Sequence, residues 1–279
     1  MLARILIPVA NPATAADLVA LGSWLGAGQP PAELVALKIV TAPRGMPLDE
    51  ARRFILSMRE SYEGALAQAR AFAARQQIAL RAELEVAQAV APGILAYADA
   101  LDALDLILLG WRGAVSLRRM RRSINQEILA RARTDVAVLR SRELGSLRHI
   151  LVPMSAGVHA RRGLRLAERL AKNAGAEVTV LRVLPAGGEV DWEGEREALT
   201  ETIGQEAPSL RYGTEQRLVR ARDSVPAILA EACRQPCDLI IIGASEEHSL
   251  QHWFFGAVPD RVAERAPCSV LLVHRAEAG

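Results

Sequence analysis

The segment from Gly110 to Ser123 contains the residue types that bind phosphate groups. Gly110 and Gly113 stand three residues apart directly after an apolar run, and five arginines lie between positions 112 and 122. Glycine lets the backbone approach a phosphate closely, and a helix N-terminus presents free N–H groups to an anion. With Ser123 placed to open a helix, the spacing indicates a phosphate-binding loop. The alternative is a glycine that ends a strand, followed by a solvated basic face, since short glycine motifs often bind nothing.

A second group of polar residues has the spacing of a weak zinc site. His248 and His252 stand four residues apart beside Glu246. On a helix, this spacing would place both imidazoles on one metal ion. Histidines in loops are more often solvated than bound to metal, so we predict no metal site here.

The cysteines favour packed thiols over a metal or catalytic site. They are Cys233, Cys237 and Cys268, and they form no pair of Cys-x-x-Cys motifs. Their odd number in a long chain favours a reducing compartment. The chain also lacks the Gly-x-Ser-x-Gly motif of serine hydrolases, and we predict no catalytic residues.

Apolar runs alternate with stretches of helical periodicity along the whole chain. In the first half the predicted strands are Arg4–Pro8, Glu33–Val40, Leu80–Val86, Asp105–Leu109 and Val136–Leu139, and the predicted helices are Thr14–Leu25, Leu48–Arg75, Pro92–Leu101 and Ile124–Arg131. In the second half, strands are predicted near 149–153, 177–183, 215–221, 238–242 and 269–273, with a helix over Trp192–Glu206. Strands that are apolar throughout and separated by helices predict an α/β fold with doubly wound parallel sheets.

The second half of the chain repeats the first. Three apolar runs recur in the same order: Ile5–Pro8 as Ile150–Pro153, Asp105–Gly110 as Asp238–Gly243, and Asp135–Leu139 as Ser269–Val273. Such a repeat indicates duplicated domains. We therefore predict two tandem domains, residues 1–142 and 147–279, with their boundary in the charged stretch from Arg140 to Leu147.

These features resemble the universal stress protein family. Its marks are a first strand ending in a Pro-x-Asp-type turn, a loop of the form Gly-x2-Gly-x9-Gly-Ser/Thr after the fourth strand, and a closing Pro-Val-Leu strand. The resemblance covers nearly the whole chain twice, most specifically in Ile5–Pro8 with Gly110–Val138 and in Ile150–Pro153 with Gly243–Val273. The segment Leu-Gly-Trp-Arg-Gly also resembles sequences in the paired stress-protein domains that form cytoplasmic tails of amino-acid permeases and sodium/proton antiporters.

The resemblance implies two five-stranded parallel sheets of strand order 3-2-1-4-5, related by a pseudo-twofold axis. It also implies that the closing strands, Val136–Leu139 and Val270–Val273, pair antiparallel across that axis, so that the two domains pair within one chain. An apolar edge strand left uncovered would be an aggregation hazard, which supports this pairing. Further self-association into a homo-oligomer stays open, as does a protein or transporter partner.

The resemblance implies a nucleotide site in the first half and a degenerate one in the second. Many family members bind ATP or AMP, and many others do not. In the first half Gly110, Gly113 and Ser123 match, whereas Arg122 stands in place of the third glycine and the spacer is one residue short. The expected nucleotide-site residues are these four, Arg112 nearby, and Ile39 on the adenine side. In the second half only Gly243 and Gly256 match, because Glu246 and Ala257 replace the second glycine and the Ser/Thr. We therefore expect ATP or AMP, if either binds, in the first domain.

Neither half keeps the acid that closes the first strand in nucleotide-binding members. The aligned positions are Ala10 and Ser155. A hydrolase needs a metal held near the phosphates, usually by carboxylates. The sequence therefore favours a non-enzymatic stress-response or regulatory protein. The alternatives are a slow ATP hydrolase and a nucleotide-independent cytoplasmic regulatory domain of a transporter.

Composition excludes several other classes. The net charge of +2 and the 4% aromatic content argue against a nucleic-acid partner, which would need a basic surface or a stacking platform. No apolar stretch approaches the roughly 18 residues of a membrane span, so no membrane insertion is predicted. The start, MLARILIPVA, has no features of a signal peptide. We predict a cytoplasmic location.

Overall fold

The computed structural model describes residues 2–111, 124–155, 157–245 and 255–276. By its contacts the chain divides into two compact units, Met1–Ala137 with Ala276–Gly279, and Val138–Arg275. The division falls inside the fifth strand of the chain, Asp135–Arg140. Because this strand has residues in both units, the strands are not divided into two separate sheets as predicted. The domain boundary between Arg140 and Leu147 stays a prediction.

The first unit alternates strands and helices. Its elements are β1 (Arg4–Pro8), α1 (Pro12–Gly26), β2 (Glu33–Thr41), α2 (Leu48–Ser57), α3 (Arg59–Tyr62), α4 (Gly64–Arg75), β3 (Leu80–Ala87), α5 (Val90–Asp99), β4 (Leu106–Gly110), α6 (Ile124–Arg131) and β5 (Asp135–Arg140). The strand order is β3-β2-β1-β4-β5, and β1 pairs in parallel with both β2 and β4. This confirms the predicted order 3-2-1-4-5.

The second unit repeats this plan. Its elements are β6 (His149–Met154), α7 (Val158–Ala174), β7 (Glu177–Pro185), α8 (Trp192–Glu206), β8 (Glu215–Ala221), α9 (Ser224–Arg234), β9 (Leu239–Gly243), α10 (Ala257–Arg265) and β10 (Ser269–His274). The strand order is β8-β7-β6-β9-β10, again 3-2-1-4-5, and β6 pairs in parallel with β7 and β9. Helix α8 has the bounds predicted from sequence.

The central strands are apolar throughout because helices cover both faces of the sheet. In β1, Ile5, Leu6 and Ile7 are fully buried, and Leu106 to Leu108 of β4 are fully buried beside them. Burial of one such side chain stabilises the fold by about 1.5–3 kcal/mol. The strands are therefore rigid supports for the loops that leave their carboxyl ends.

Helix α1 begins earlier than the sequence predicted. Its N-cap is Asn11, whose side-chain oxygen accepts a hydrogen bond from the backbone N–H of Ala13 at 3.0 Å. Pro12 takes the first helical position, where its fixed φ suits the helix and its missing N–H costs nothing. Thr14, where the sequence predicted the helix to begin, lies inside the first turn.

The predicted single helix over Leu48–Arg75 is wrong. The structure has three helices there, α2, α3 and α4, interrupted at Met58 and Glu63. The hydroxyl of Ser57 donates a hydrogen bond to the carbonyl of Phe54 at 2.7 Å, a local bond that competes with helix propagation. Apolar periodicity continues across both interruptions, so the pattern alone did not indicate them.

Among the described residues, no helix combines the length and the apolar character that a membrane span requires.

Candidate functional site

A cavity of about 740 Å³ lies at the carboxyl ends of β1, β2 and β4 in the first unit. In doubly wound sheets, ligands bind at this edge, where the strand order reverses. Here the reversal falls between β1 and β4. The lining residues are Pro8 to Pro12, Thr14, Leu18, Leu37 to Ile39, Val90, Ile94, Leu109 to Trp111, Ile124 and Asn125.

The turn after β1 forms one wall of the cavity. Its backbone is fixed because the N–H of Val9 donates to the carbonyl of Leu37 at 2.8 Å. Asn11 then caps α1 and also accepts, through its carbonyl, a hydrogen bond from the Thr14 hydroxyl at 3.3 Å. The N-terminal turn of α1 therefore faces the cavity with its polar groups held in place.

The end of β4 forms another wall of the cavity. The carbonyl of Gly110 accepts a hydrogen bond from the side-chain amide of Asn125 at 3.3 Å, which joins the end of β4 to the first turn of α6. A methyl group on Gly110 would lie 3.4 Å from Leu18 Cδ1 and 3.5 Å from Thr14 Oγ1, which are ordinary contact distances. The packing of α1 therefore leaves room at this glycine. Trp111 follows and also lines the cavity.

The side formed by β2 and α5 is apolar. Ile39 is 8% exposed and lines the cavity together with Val90 and Ile94. Helix α5 lies close to the sheet here, because a methyl group on Gly93 would come within 3.2 Å of Ile39 Cγ2 and closer still to Ala87 Cβ. A flat aromatic group would find hydrocarbon on this side.

Lys38 supplies the charge of the cavity. It precedes Ile39 in β2 and is the one charged residue among the described lining residues. None of these residues carries a carboxylate. In the turn after β1, the positions that line the cavity include Ala10 and Asn11. In the sequence, Trp111 is followed by residues 112–123, which include five arginines and no acidic residue. The local charge therefore favours an anionic ligand.

The structure brings together two of the six nucleotide-site residues predicted for the first half. Gly110 and Ile39 line the same cavity. The other four, Arg112, Gly113, Arg122 and Ser123, lie outside the described residues, as do Glu246, His248 and His252 of the weak zinc motif. Sequence reasoning missed Lys38 and Asn125. A single charged residue within the apolar run of β2 was the available signal for Lys38.

The second unit is packed differently at the corresponding point. Gly243 ends β9 as Gly110 ends β4. A methyl group on Gly243 would come closer than 3.0 Å to backbone atoms of His159 and Ala160, at the start of α7. Gly256 has φ 112° and lies against the Ser245 side chain. Both predicted glycines of the second half thus serve close packing.

Two histidines stack on each other at the carboxyl-end edge of the strands in the second unit. The rings of His159, at the start of α7, and His274, at the end of β10, stack with centroids 4.7 Å apart and planes at 25°. His159 is buried, and its Nδ1 accepts a hydrogen bond from the backbone N–H of Arg275 at 2.9 Å. An accepting Nδ1 requires the tautomer that carries its proton on Nε2. Nothing in the sequence pattern indicated this pair.

Solved structures share this fold over the whole chain. A universal stress protein from Archaeoglobus fulgidus superimposes with a TM-score of 0.69 at 18% identity, covering 99% of this chain and 97% of that one. A putative universal stress protein from Pseudomonas aeruginosa gives 0.59 at 13% identity, covering 97% and 92%. The cytoplasmic domain of a prokaryotic cation chloride cotransporter gives 0.62 at 12% identity, covering 99% and 96%.

Sequence comparison assigns the family. No curated protein matches the chain significantly. The sequence model of the universal stress protein family matches twice, over residues 1–140 and 146–274. These two matches cover nearly all of both halves and agree with the repeat of apolar runs and with the strand order found in each unit. The chain belongs to the universal stress protein family, in its tandem form.

Proposed function

We propose that this protein is a non-enzymatic, cytoplasmic stress-response regulator that binds one adenine nucleotide, ATP or AMP, in the cavity of its first unit. The observation that carries the proposal is the difference between the two units. Beside Gly110 there is an open cavity, whereas Gly243 lies against the backbone of α7. In this proposal the second unit has a structural role.

The chemistry of the cavity suits such a ligand. Its volume lies within the range of about 300–1,000 Å³ that small-molecule sites occupy. Ile39, Val90 and Ile94 offer hydrocarbon to the base, and Lys38 offers an ammonium group to a phosphate. Because no described lining residue is acidic, protein cations balance the phosphate charge. We therefore expect binding in the absence of a divalent metal.

Replacing Lys38 by methionine should weaken ATP and AMP binding by about tenfold or more, because a hydrogen bond to a charged group contributes about 1.5–3 kcal/mol. The chain has one other lysine, Lys172, which lies exposed in the last turn of α7. Lys172→Met makes the same chemical change away from the cavity and is the matched control. Titration calorimetry of both variants, with and without magnesium, measures the effect. Equal losses in the two variants, or binding only with magnesium, would contradict the proposal.

We expect bound ATP to persist. Phosphoryl transfer depends on neutralising charge that develops in the transition state, usually with a protein-held metal. A cation such as Lys38 that binds substrate and transition state equally improves affinity without increasing kcat. Incubation of ATP with magnesium or manganese and an equal concentration of protein should give no multiple turnovers over hours. Multiple turnovers that Lys38→Met abolishes would instead assign the slow hydrolase.

A second candidate is a nucleotide-independent regulatory module of a transporter. The fold shared with a cotransporter cytoplasmic domain supports it, although at 12% identity that similarity concerns the fold alone. The two candidates differ in one measurement. Wild-type protein that binds neither ATP nor AMP in the calorimeter, while remaining folded, would favour the module without a ligand.

A further inference from the structure

Two of the three cysteines lie side by side in the second unit. The Sγ atoms of Cys237 and Cys268 are 3.4 Å apart and hydrogen-bonded. Both thiols are buried, with 8% and 9% of each residue exposed, whereas Cys233 is exposed. The two sulfurs are close enough that a movement of about 1.4 Å would bring them to the bond length of a disulfide, about 2.0 Å.

The two cysteines lie at the starts of neighbouring strands. Leu239 pairs with Ser269 in the parallel ladder of β9 and β10, so Cys268 lies level with Asp238, the neighbour of Cys237. The carboxylate of Asp238 accepts hydrogen bonds from the backbone N–H groups of Arg148 at 2.7 Å and His149 at 2.9 Å. Adjacent strand ends thus carry the two cysteines, and one of these ends is fixed to a third strand.

The hydrogen bond makes the two thiols chemically unequal. The hydrogen bond between the two sulfurs lowers the pKa of Cys268 against the opposing effect of its burial. The same bond, together with burial, raises the pKa of Cys237. Since the thiolate is the form that reacts with oxidants, Cys268 reacts first.

We propose that Cys237 and Cys268 form a redox-modified pair that a small hydroperoxide converts to an intramolecular disulfide. The Cys268 thiolate attacks the peroxide oxygen, the O–O bond breaks, and Cys268 becomes a sulfenic acid while water or an alcohol is released. The sulfur of Cys237, having lost its proton, then attacks the Cys268 sulfur, the S–O bond breaks, and a second oxygen leaves as water. Two electrons and two protons pass from the thiols to the peroxide in total.

The position of the pair predicts a change in stability that is separate from ligand binding. Cys237 precedes β9 and Cys268 precedes β10. Both therefore lie at the amino-end edge of these strands, whereas Gly243 lies at the carboxyl end of β9. The bond would close a loop between residues 31 positions apart. Closing such a loop restricts the unfolded chain. Oxidation should therefore stabilise the second unit and leave the cavity of the first unit unchanged.

The experiment oxidises the folded, reduced chain with hydrogen peroxide and maps its disulfides by mass spectrometry after non-reducing digestion. We expect a Cys237–Cys268 cross-link that lacks two hydrogen atoms, and a urea midpoint of the second unit raised by about 1 M, reversed by a dithiol reductant. Cys233→Ser is the control and should keep both effects, whereas Cys268→Ser should lose them. Cross-links that require Cys233, or two thiols still free for alkylation after oxidation, would overturn the proposal.

The wild-type cross-link map decides the matter even where Cys268→Ser fails to fold. Circular dichroism before and after oxidation shows whether the cross-link formed in the folded chain. ATP and AMP affinities of the oxidised protein, measured in parallel, should equal those of the reduced protein. An affinity that falls on oxidation would contradict the separation of the two sites.

Discussion

Replacing Gly243 by alanine should lower the free energy of unfolding by about 3 kcal/mol, at the upper end of overpacking effects. The added methyl group would come closer than 3.0 Å to the backbone of His159 and Ala160. Backbone atoms cannot turn aside as the end of a side chain can, so α7 must move away from β9. That movement would also disturb the stacked rings of His159 and His274. Urea unfolding followed by circular dichroism measures the loss.

Gly110→Ala is the matched control for this change. Gly110 ends β4 as Gly243 ends β9, and neither has a left-handed φ, so strain from backbone conformation is absent in both. The methyl group on Gly110 would make ordinary contacts of 3.4 and 3.5 Å with Leu18 and Thr14. We expect a loss below about 1 kcal/mol. Equal losses in the two variants would contradict the packing difference between the units.

Replacing Val90 by tryptophan should abolish nucleotide binding in the first unit, with a loss of affinity of at least about a hundredfold. Val90 is half-buried in the first turn of α5 and lines the cavity beside Ile39. An indole there occupies the volume that the base would need, and the partial exposure of the position keeps the cost to folding small. Calorimetric titration with ATP and AMP measures the loss.

Ala89→Trp controls for the general effect of a new indole. Ala89 is the exposed residue immediately before Val90, and it is not part of the cavity lining. The variant should bind ATP and AMP with nearly wild-type affinity. Undiminished binding in Val90→Trp would show that the nucleotide site lies elsewhere.

The sequence predicted the architecture well because architecture depends on apolar patterning. Three repeated apolar runs predicted the duplicated α/β plan, and the resemblance implied the order 3-2-1-4-5 that each unit shows. Local detail was less predictable. Helix α1 begins at Pro12 after the cap Asn11, two residues before the predicted start at Thr14, since capping depends on backbone angles that composition does not determine. The interruptions of the helix over Leu48–Arg75 were not predicted, because local hydrogen bonds such as that of Ser57 leave no mark on the apolar periodicity.

The candidate site was predictable only in part. Ile39 and Gly110 line one cavity, because strand ends determine which residues share an edge of the sheet, and their role in binding stays a prediction. Lys38 was overlooked, since one lysine inside an apolar run gives no motif. The nucleotide site of the second unit was expected to be degenerate because motif residues are missing there. The close packing of α7 on Gly243, which depends on the distance between two elements, could not be predicted from composition or spacing.

The most direct test of a nucleotide site in the first unit is photo-crosslinking of the full chain with an azido-substituted adenine nucleotide, followed by mass-spectrometric mapping of the labelled peptides. We predict saturable labelling, displaced by unmodified ATP or AMP, on peptides that contain Ile39, Val90 or Trp111. Labelling of peptides from the second unit, or labelling that unmodified nucleotide does not displace, would contradict it.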